Sequence, residues 1–127
     1  MLKQYRRKAQ TPITAVRLDL ETDGFTYQKW GSTQRCKRGD WLVNNQGDVY
    51  TVDADTFENT YRTVSLGLYE KAAPVWATVA REAGTIQTKE GFSAYAAGDY
   101  LVYNSPSGED GYAINAEKFH NLYEPGT

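Results

Sequence analysis

The sequence predicts an α+β protein, rich in β-structure, in which two pseudo-repeated units share one core. The pentapeptide GDWLV at Gly39–Val43 recurs as GDYLV at Gly98–Val102. Each copy begins the same series of a strand, a turn, a second strand and a short helix. In several segments apolar and polar residues also alternate with a period of two, which indicates strands with one buried face. Each predicted unit therefore combines strands, a hairpin and a short helix.

The length of 127 residues favours one domain, built of two repeats at about 1–63 and 64–127. No linker rich in Pro, Gly or Ser separates the halves, so we expect them to pack against each other. The strands are predicted to form one strongly curved sheet or two small barrels. The short helices would then cover the open ends.

The composition is that of an ordinary globular domain, with 40% hydrophobic and 24% charged residues. The only cysteine is Cys36, which excludes an intrachain disulfide and fits a reducing cytoplasm. The basic N-terminus lacks the apolar run of a signal peptide. No stretch approaches the roughly 20 apolar residues needed to cross a membrane. We therefore expect a cytoplasmic protein without a membrane partner.

The first repeat begins with a polar segment, residues 1–11, that is predicted to be irregular. Strands are predicted at Ile13–Leu20, Phe25–Trp30, Gln34–Lys37, Trp41–Val43 and Val49–Val52. The Asn-rich loop with Gly47 between the last two indicates a hairpin. Asp53 is a good helix N-cap, and a helix of about two turns would place Phe57 and Tyr61 on one face.

The second repeat follows the same plan. Alternation over Val64–Leu68 predicts a strand that crosses the midpoint. Further strands are predicted at Val75–Val79, Gly84–Lys89 and around the second Gly-Asp turn. Asn115 is predicted to cap the second helix. Tyr112, Phe119 and Tyr123 each follow their counterpart in the first repeat by the same interval of 62 residues.

The repeated Gly-Asp dipeptide has a structural explanation. Glycine allows the chain to turn with φ above zero, and the Asp side chain can accept a nearby backbone N–H and close the turn. The alternative is functional, since Asp40 and Asp99 would form a pair of carboxylates facing a shared cleft.

Two long segments carry a resemblance to a known family. "KRGDWLVNNQGDVYTVDADTFENTY" and "AAGDYLVYNSPSGEDGYAINAEKFHNLYEP" resemble the PGDYG family of small bacterial and phage proteins. Where the family has Pro, this chain has Arg38 and Ala97. The resemblance implies two tandem copies and a bacterial or phage origin. The family has no established activity, so the resemblance implies no catalytic residues.

Candidate catalytic groups are isolated in the sequence. His120 is the only histidine and could serve as a general base. Cys36 lies among basic residues, which would favour its thiolate. The sequence contains no Gly-rich phosphate loop and no metal-binding motif. We therefore predict no catalytic residue, no metal and no cofactor, and favour a protein that is not an enzyme.

Aromatic and basic residues form the favoured ligand-binding set. Aromatic rings can stack on nucleobases, and arginine can hold phosphates. The predicted ligand-binding residues are Trp30, Arg35, Arg38, Trp41, Trp76 and Tyr100. For Trp41 and Tyr100 the alternative is that they are core residues of the two repeats.

These observations favour a non-enzymatic binding module for a nucleotide-like small molecule or a nucleic acid segment. The net charge of −2 does not favour nucleic acid. The alternative is a protein-interaction module, which would bind or inhibit a partner or form a homodimer, because surfaces rich in Tyr and Trp also describe interfaces. A small hydrolase or transferase ranks third, and the oligomeric state is left open.

Overall fold

The computed structural model describes residues 1–9 and 11–126, which are mostly strands. The strands of the first part are β1 Lys3–Arg7, β2 Ile13–Arg17, β3 Phe25–Lys29, β4 Ser32–Cys36, β5 Trp41–Asn45, β6 Asp48–Val52 and β7 Tyr61–Ser65. Those of the second part are β8 Leu68–Lys71, β9 Val75–Val79, β10 Gly84–Gln87, β11 Phe92–Tyr95, β12 Tyr100–Tyr103, β13 Gly111–Ile114 and β14 Tyr123–Pro125. The helices are α1 Ala54–Thr60 and α2 Ala116–Leu122. The predicted β-rich α+β class is confirmed.

The strands form two five-stranded sheets and two separate hairpins. The first sheet has the order β6-β5-β2-β8-β7, and the second has the order β13-β12-β9-β1-β14. Strands β3 and β4 form one two-stranded hairpin, and β10 and β11 form the other. Neighbouring strands run antiparallel throughout. The sequence instead predicted one curved sheet or two barrels.

The polar segment at residues 1–11 was predicted to be irregular, and this is wrong for β1. Strand β1 lies between β9 and β14, with Lys3 opposite Ala77 and Arg7 opposite Tyr123. Strand β8 lies in the same way between β2 and β7 of the first sheet. The strand that begins each half therefore completes the sheet of the other half. Distant partners stabilise β1, so its own sequence does not reveal it.

The midpoint of the chain contains a hairpin rather than the single strand predicted over Val64–Leu68. Strand β7 ends at Ser65 and β8 begins at Leu68, and the two pair with each other. Leu66 lies in the turn and is fully exposed. The alternation of apolar residues was therefore misleading here, because one of them sits at a turn.

Both predicted helix caps are confirmed. Asp53 Oδ2 accepts a hydrogen bond from the Thr56 backbone N–H at 3.2 Å, and Asn115 Oδ1 accepts one from Lys118 at 2.8 Å. Each helix ends one residue before a tyrosine. Tyr61 therefore begins β7 instead of extending α1, but its ring stacks on that of Phe57 at 4.6 Å, so the two side chains share one face as predicted.

The core differs from the single shared core predicted. Buried apolar residues form two clusters, one for each sheet. The first cluster contains Ile13, Val43 and Phe57. The second contains Val75, Ala77, Val102, Phe119, Leu122 and Tyr123. Each helix contributes a phenylalanine to one cluster, which anchors that helix to its sheet. Within the described residues, no helix is long and apolar enough to span a membrane.

The two hairpins are joined to each other. The Arg35 backbone N–H donates to the Glu90 carbonyl oxygen at 2.6 Å, and that of Ala94 donates to the Trp30 carbonyl at 2.9 Å. The fully buried Gln34 side chain donates to the Phe92 carbonyl at 2.6 Å. These bonds fix the Trp30 turn and the Glu90 turn beside each other.

Candidate functional site

A cavity of about 720 Å³, here called the central cavity, is lined by residues of both sheets, both helices and both hairpins. Small-molecule sites commonly occupy about 300–1,000 Å³. The chain elements that line it come from both halves, so neither half forms the cavity alone.

Four tyrosines line the central cavity at matching places in the two sheets. Tyr50 and Tyr112 lie on β6 and β13, while Tyr61 and Tyr123 begin β7 and β14. The Tyr112 and Tyr123 hydroxyl oxygens are 2.8 Å apart, and Asn45 Nδ2 donates to the Tyr50 hydroxyl at 3.2 Å. Rings and hydroxyl groups therefore both face this space.

Two cations, Arg7 and Lys71, line the central cavity among these tyrosines. The Arg7 guanidinium donates to Asn45 Oδ1 at 3.1 Å and to the Thr11 carbonyl at 3.2 Å. The Lys71 side chain is only 9% exposed, and its Nζ lies 5.4 Å from the ring centre of Tyr112.

Within residues 1–9 and 11–126, Arg7 and Lys71 form no ion pair with a carboxylate. Burying a charge without a counter-charge is unfavourable, and contacts with aromatic faces offset only part of that cost. An anion placed beside these two side chains would supply the missing counter-charge.

Burial and the positive charges of Lys71 and Arg7 act on the pKa of Tyr123, which lines the central cavity with them. Burial raises the pKa of Tyr123, but the positive charges of Lys71 and Arg7 outweigh burial and bring the pKa below its ordinary value. Burial holds the pKa of Tyr50 and of Tyr112 well above the ordinary value. The phenolate form is therefore easier to reach at Tyr123 than in an ordinary tyrosine, and harder to reach at the two inner tyrosines.

A second polar group borders the central cavity through Glu90 and Asp110, and its charges are paired. Lys89 Nζ lies 3.4 Å from Asp53 Oδ2 and 3.7 Å from Asp110 Oδ2. Glu90 accepts a hydrogen bond from the Asp53 backbone N–H at 2.9 Å. Burial raises the pKa of Glu90 to about 7, although that hydrogen bond and Lys37 oppose the shift. This carboxyl group therefore changes charge near neutral pH.

Trp30 offers an aromatic face at the rim of the central cavity. It lies in the turn between β3 and β4 with a φ of 55°, and its side chain is 36% exposed. Its ring centre is 5.8 Å from that of Tyr50, and Lys29 Nζ lies 5.4 Å from the ring centre of Trp30. The rim of the central cavity therefore carries a partly exposed aromatic ring.

Of the six residues predicted to bind ligand, Trp30 lines the central cavity and the other five do not. Trp41 stacks on Phe57 at 4.1 Å and Tyr100 stacks on Phe119 at 4.0 Å. Both therefore pack against the two hydrophobic clusters, as their alternative interpretation predicted.

The remaining three predicted residues lie on other surfaces. Arg35 donates to the Asp23 carbonyl oxygen. Arg38 is exposed and lies 3.9 Å from Asp19. Trp76 lies on β9 opposite Tyr103. The structure therefore does not bring the six predicted residues together.

The two Gly-Asp turns are closed by their aspartates, as the structural explanation predicted. Asp40 Oδ2 accepts the Lys37 backbone N–H at 2.9 Å, and Asp99 accepts that of Ala96 at 2.9 Å. The glycines before them have φ values of 90° and 92°. Asp99 lines the central cavity and the fully buried Asp40 does not, so the two carboxylates do not converge there.

The candidate nucleophile and base lie apart from the central cavity. Cys36 is 1% exposed, and burial, followed by the negative charge of Asp40, raises the pKa of its thiol. His120 Nε2 lies 3.4 Å from the Tyr100 hydroxyl. The buried thiol is therefore in its protonated form at neutral pH, which is unfavourable for nucleophilic chemistry.

Sequence reasoning missed Arg7, Lys71 and the four tyrosines. A signal for them was available. Arg7 and Lys71 each stand two residues after a tyrosine, and the four tyrosines form two pairs 62 residues apart. What was lacking was the knowledge that β1 and β8 bring these residues to one place.

Comparisons with protein-family models, with curated proteins and with solved structures found no significant match. The resemblance to the PGDYG family therefore stays a prediction.

Proposed function

We propose that the chain is a non-enzymatic binding module that holds a small, anionic, nucleotide-like molecule in the central cavity. The observation that carries this proposal is the placement of Arg7 and Lys71 on the cavity wall without a carboxylate partner among the described residues. An anionic ligand would supply the missing counter-charge through charge-assisted hydrogen bonds.

The aromatic lining supports a ligand with a planar ring. Trp30 is half exposed at the rim and packs beside Tyr50. Stacking of a base on an aromatic side chain contributes about 1–3 kcal/mol. Asn45 joins the two ends of this arrangement, because it contacts both the Tyr50 hydroxyl and Arg7. A nucleotide carries both required features, a flat base and a phosphate.

We also propose that the chain contains two copies of one unit, as its resemblance to the PGDYG family implies. The matching strand orders of the two sheets support this, with β1 taking the place in the second sheet that β8 takes in the first. The ion pair Arg6–Glu124 and the ion pair Arg62–Glu70 support it too, since each joins the two outermost strands on one side of a sheet.

The test is calorimetric titration of the purified chain with a panel of mononucleotides and dinucleotides, with adenosine as the uncharged control. We expect at least one nucleotide to bind and adenosine to bind far more weakly. Lys71→Gln should weaken binding about tenfold or more, because a hydrogen bond to a charged group is lost.

Arg38→Gln is the matched control, because Arg38 is exposed and lies outside the central cavity. Its affinity should equal that of the original chain. Weakened binding in Arg38→Gln with unchanged binding in Lys71→Gln would place the ligand elsewhere. Absence of binding by every nucleotide would contradict the proposal.

A protein-interaction module is the second candidate function, and one observation favours it. Apolar side chains lie exposed on and beside the first sheet, where Val16 and Leu42 face each other across β2 and β5 and Phe25 and Val49 lie nearby. Exposed apolar patches often mark interfaces. A monomeric molar mass by light scattering, unchanged in Leu42→Lys, would argue against a homodimer through this surface.

A further inference from the structure

The two cations of the central cavity stand in equivalent places of the two sheets. Arg7 on β1 lies opposite Tyr123 on β14, and Lys71 on β8 lies opposite Tyr61 on β7. In both cases the tyrosine is the first residue after a helix. Each sheet therefore presents one cation beside one tyrosine.

The inner tyrosines are equivalent as well. Tyr50 on β6 lies opposite Val43, and Tyr112 on β13 lies opposite Val102. Both valines are fully buried in the clusters beneath. Each sheet thus contributes one cation and two tyrosines to the central cavity, in the same arrangement.

Each cation also reaches the opposite sheet. Lys71 of the first sheet lies over the rings of Tyr112 and Tyr123 of the second. Arg7 of the second sheet donates to Asn45 of the first. The contacts are reciprocal, which places the two cations on either side of the boundary between the sheets.

The two cations approach the same aromatic ring. Arg7 Cζ and Lys71 Nζ lie 5.7 Å and 5.9 Å from the same ring centre, that of Tyr123, and their separation cannot exceed the sum of these distances. Like charges around one partly buried ring repel each other. Two anionic groups, one beside each cation, would balance both charges.

The cations differ in how firmly the chain holds them. Asn45 Oδ1 accepts a hydrogen bond from Arg7. The corresponding residue after β12 is Asn104, whose buried Oδ1 has no hydrogen-bond partner among the described residues. Lys71 is thus held by the rings and hydroxyl groups of the tyrosines instead of by an asparagine.

We infer that the ligand of the central cavity carries two anionic groups, one for Arg7 and one for Lys71, in an approximately two-fold symmetric molecule of dinucleotide size. This inference rests on the proposed function and names the ligand class for the same site. A cyclic dinucleotide has this chemistry, with two phosphates on a symmetric frame and two bases for stacking. One such molecule occupies the central cavity of one chain.

The experiment is calorimetric titration of the full chain with AMP and, separately, with cyclic di-AMP. We expect cyclic di-AMP to bind with a stoichiometry of one and at least tenfold more tightly than AMP. Arg7→Gln and Lys71→Gln should each weaken cyclic di-AMP binding by a similar factor of about ten or more. Each substitution should bring its affinity close to that of AMP.

Conservative variants separate loss of contact from loss of folding. Lys71→Arg and Arg7→Lys keep the charges and should retain most of the affinity for cyclic di-AMP, with the circular dichroism spectrum unchanged in all four variants. Arg38→Gln should bind as the original chain does.

Several outcomes would overturn the inference. Equal affinity for AMP and cyclic di-AMP, two AMP molecules per chain, or an effect of only one of the two glutamine substitutions would contradict a two-anion ligand while leaving the proposed binding function intact. Absence of binding by both compounds, together with a negative panel of nucleotides, would contradict the proposed function as well.

Discussion

Lysines occupy two contrasting environments in this protein. Lys37 and Lys89 lie around the N-terminus of α1 and form ion pairs with Asp40, Asp53 and Asp110. Lys71 is more deeply buried, lies over the rings of Tyr61, Tyr112 and Tyr123, and forms no ion pair among the described residues. The first environment has its charges balanced by the chain itself.

The paired and unpaired lysines should contribute to stability in opposite ways. Charges that are balanced within the chain join α1 to the neighbouring turns, and their loss should reduce stability. A buried charge without a counter-charge lowers stability, and such residues are commonly retained for binding. Substitutions in the two environments should therefore have effects of opposite sign.

The largest effect is expected at Asp40. Its carboxylate is 1% exposed and accepts the backbone N–H groups of Lys37 and Ala54 at 2.9 and 3.1 Å. Asp40→Ala leaves both N–H groups without their acceptor and should lower the free energy of unfolding by about 3 kcal/mol.

Asp99→Ala is the matched control for Asp40→Ala in urea denaturation. Asp99 closes the corresponding turn by accepting one backbone N–H among the described residues, that of Ala96, so its loss should lower the free energy of unfolding by about 1 kcal/mol. Equal losses in the two variants would mean that the link from Asp40 to α1 does not contribute to stability.

The second largest effect is the pH dependence of stability that Glu90 causes. Burial raises the pKa of Glu90 from 4.5 to about 7, so the folded protein binds this proton more tightly than the unfolded chain does. The contribution of protonated Glu90 to the free energy of unfolding is therefore fully present below about pH 4.5 and is lost as pH rises to about 7. Glu90→Gln should remove about 2 kcal/mol of this pH dependence.

The measurement is urea denaturation of the original chain and of Glu90→Gln at several pH values. At about pH 8 the Glu90→Gln variant should be the more stable of the two, because glutamine at position 90 is uncharged whereas the glutamate is a buried anion. A difference between the two proteins that does not vary with pH would contradict a raised pKa of Glu90.

The smallest change in the free energy of unfolding is expected at Lys71, and its sign tells whether this lysine stabilises the fold. Lys71→Met removes an unpaired buried charge and should raise the free energy of unfolding by about 1 kcal/mol. Lys89→Met removes a partly exposed lysine paired with Asp53 and Asp110 and should lower it by about 0.5 kcal/mol. Thermal unfolding of both variants without ligand tests this. A loss of stability in Lys71→Met would mean that Lys71 supports the fold rather than a ligand.

Local sequence signals predicted the local features of the fold well. The caps at Asp53 and Asn115, the turns closed by Asp40 and Asp99, and the hairpin around Gly47 were all confirmed. Each depends on residues only a few positions apart, where backbone geometry and short side chains decide the outcome. The strands β5, β6, β12 and β13 were predicted for the same reason.

The candidate site could not be predicted in this way. Its residues come from β1, β6, β8 and β13 and from the residues that follow both helices. Basic and aromatic residues near Arg35 and Arg38 are adjacent in sequence and attracted attention, but Arg35 contacts the Asp23 carbonyl, Arg38 lies near Asp19, and neither lines the central cavity. Only Trp30 of the predicted set reaches the central cavity.

The sequence by itself determined the short-range elements of this protein, because caps, turns and alternating strands depend on neighbouring residues. The tertiary structure alone decided that β1 joins β9 and β14 while β8 joins β2 and β7. Such pairings depend on contacts far apart along the chain, which no local pattern encodes. Because β1 lies in the sheet of the second half and β8 in that of the first, Arg7 and Lys71 both reach the ring of Tyr123. The lining of the central cavity therefore forms only when the chain folds.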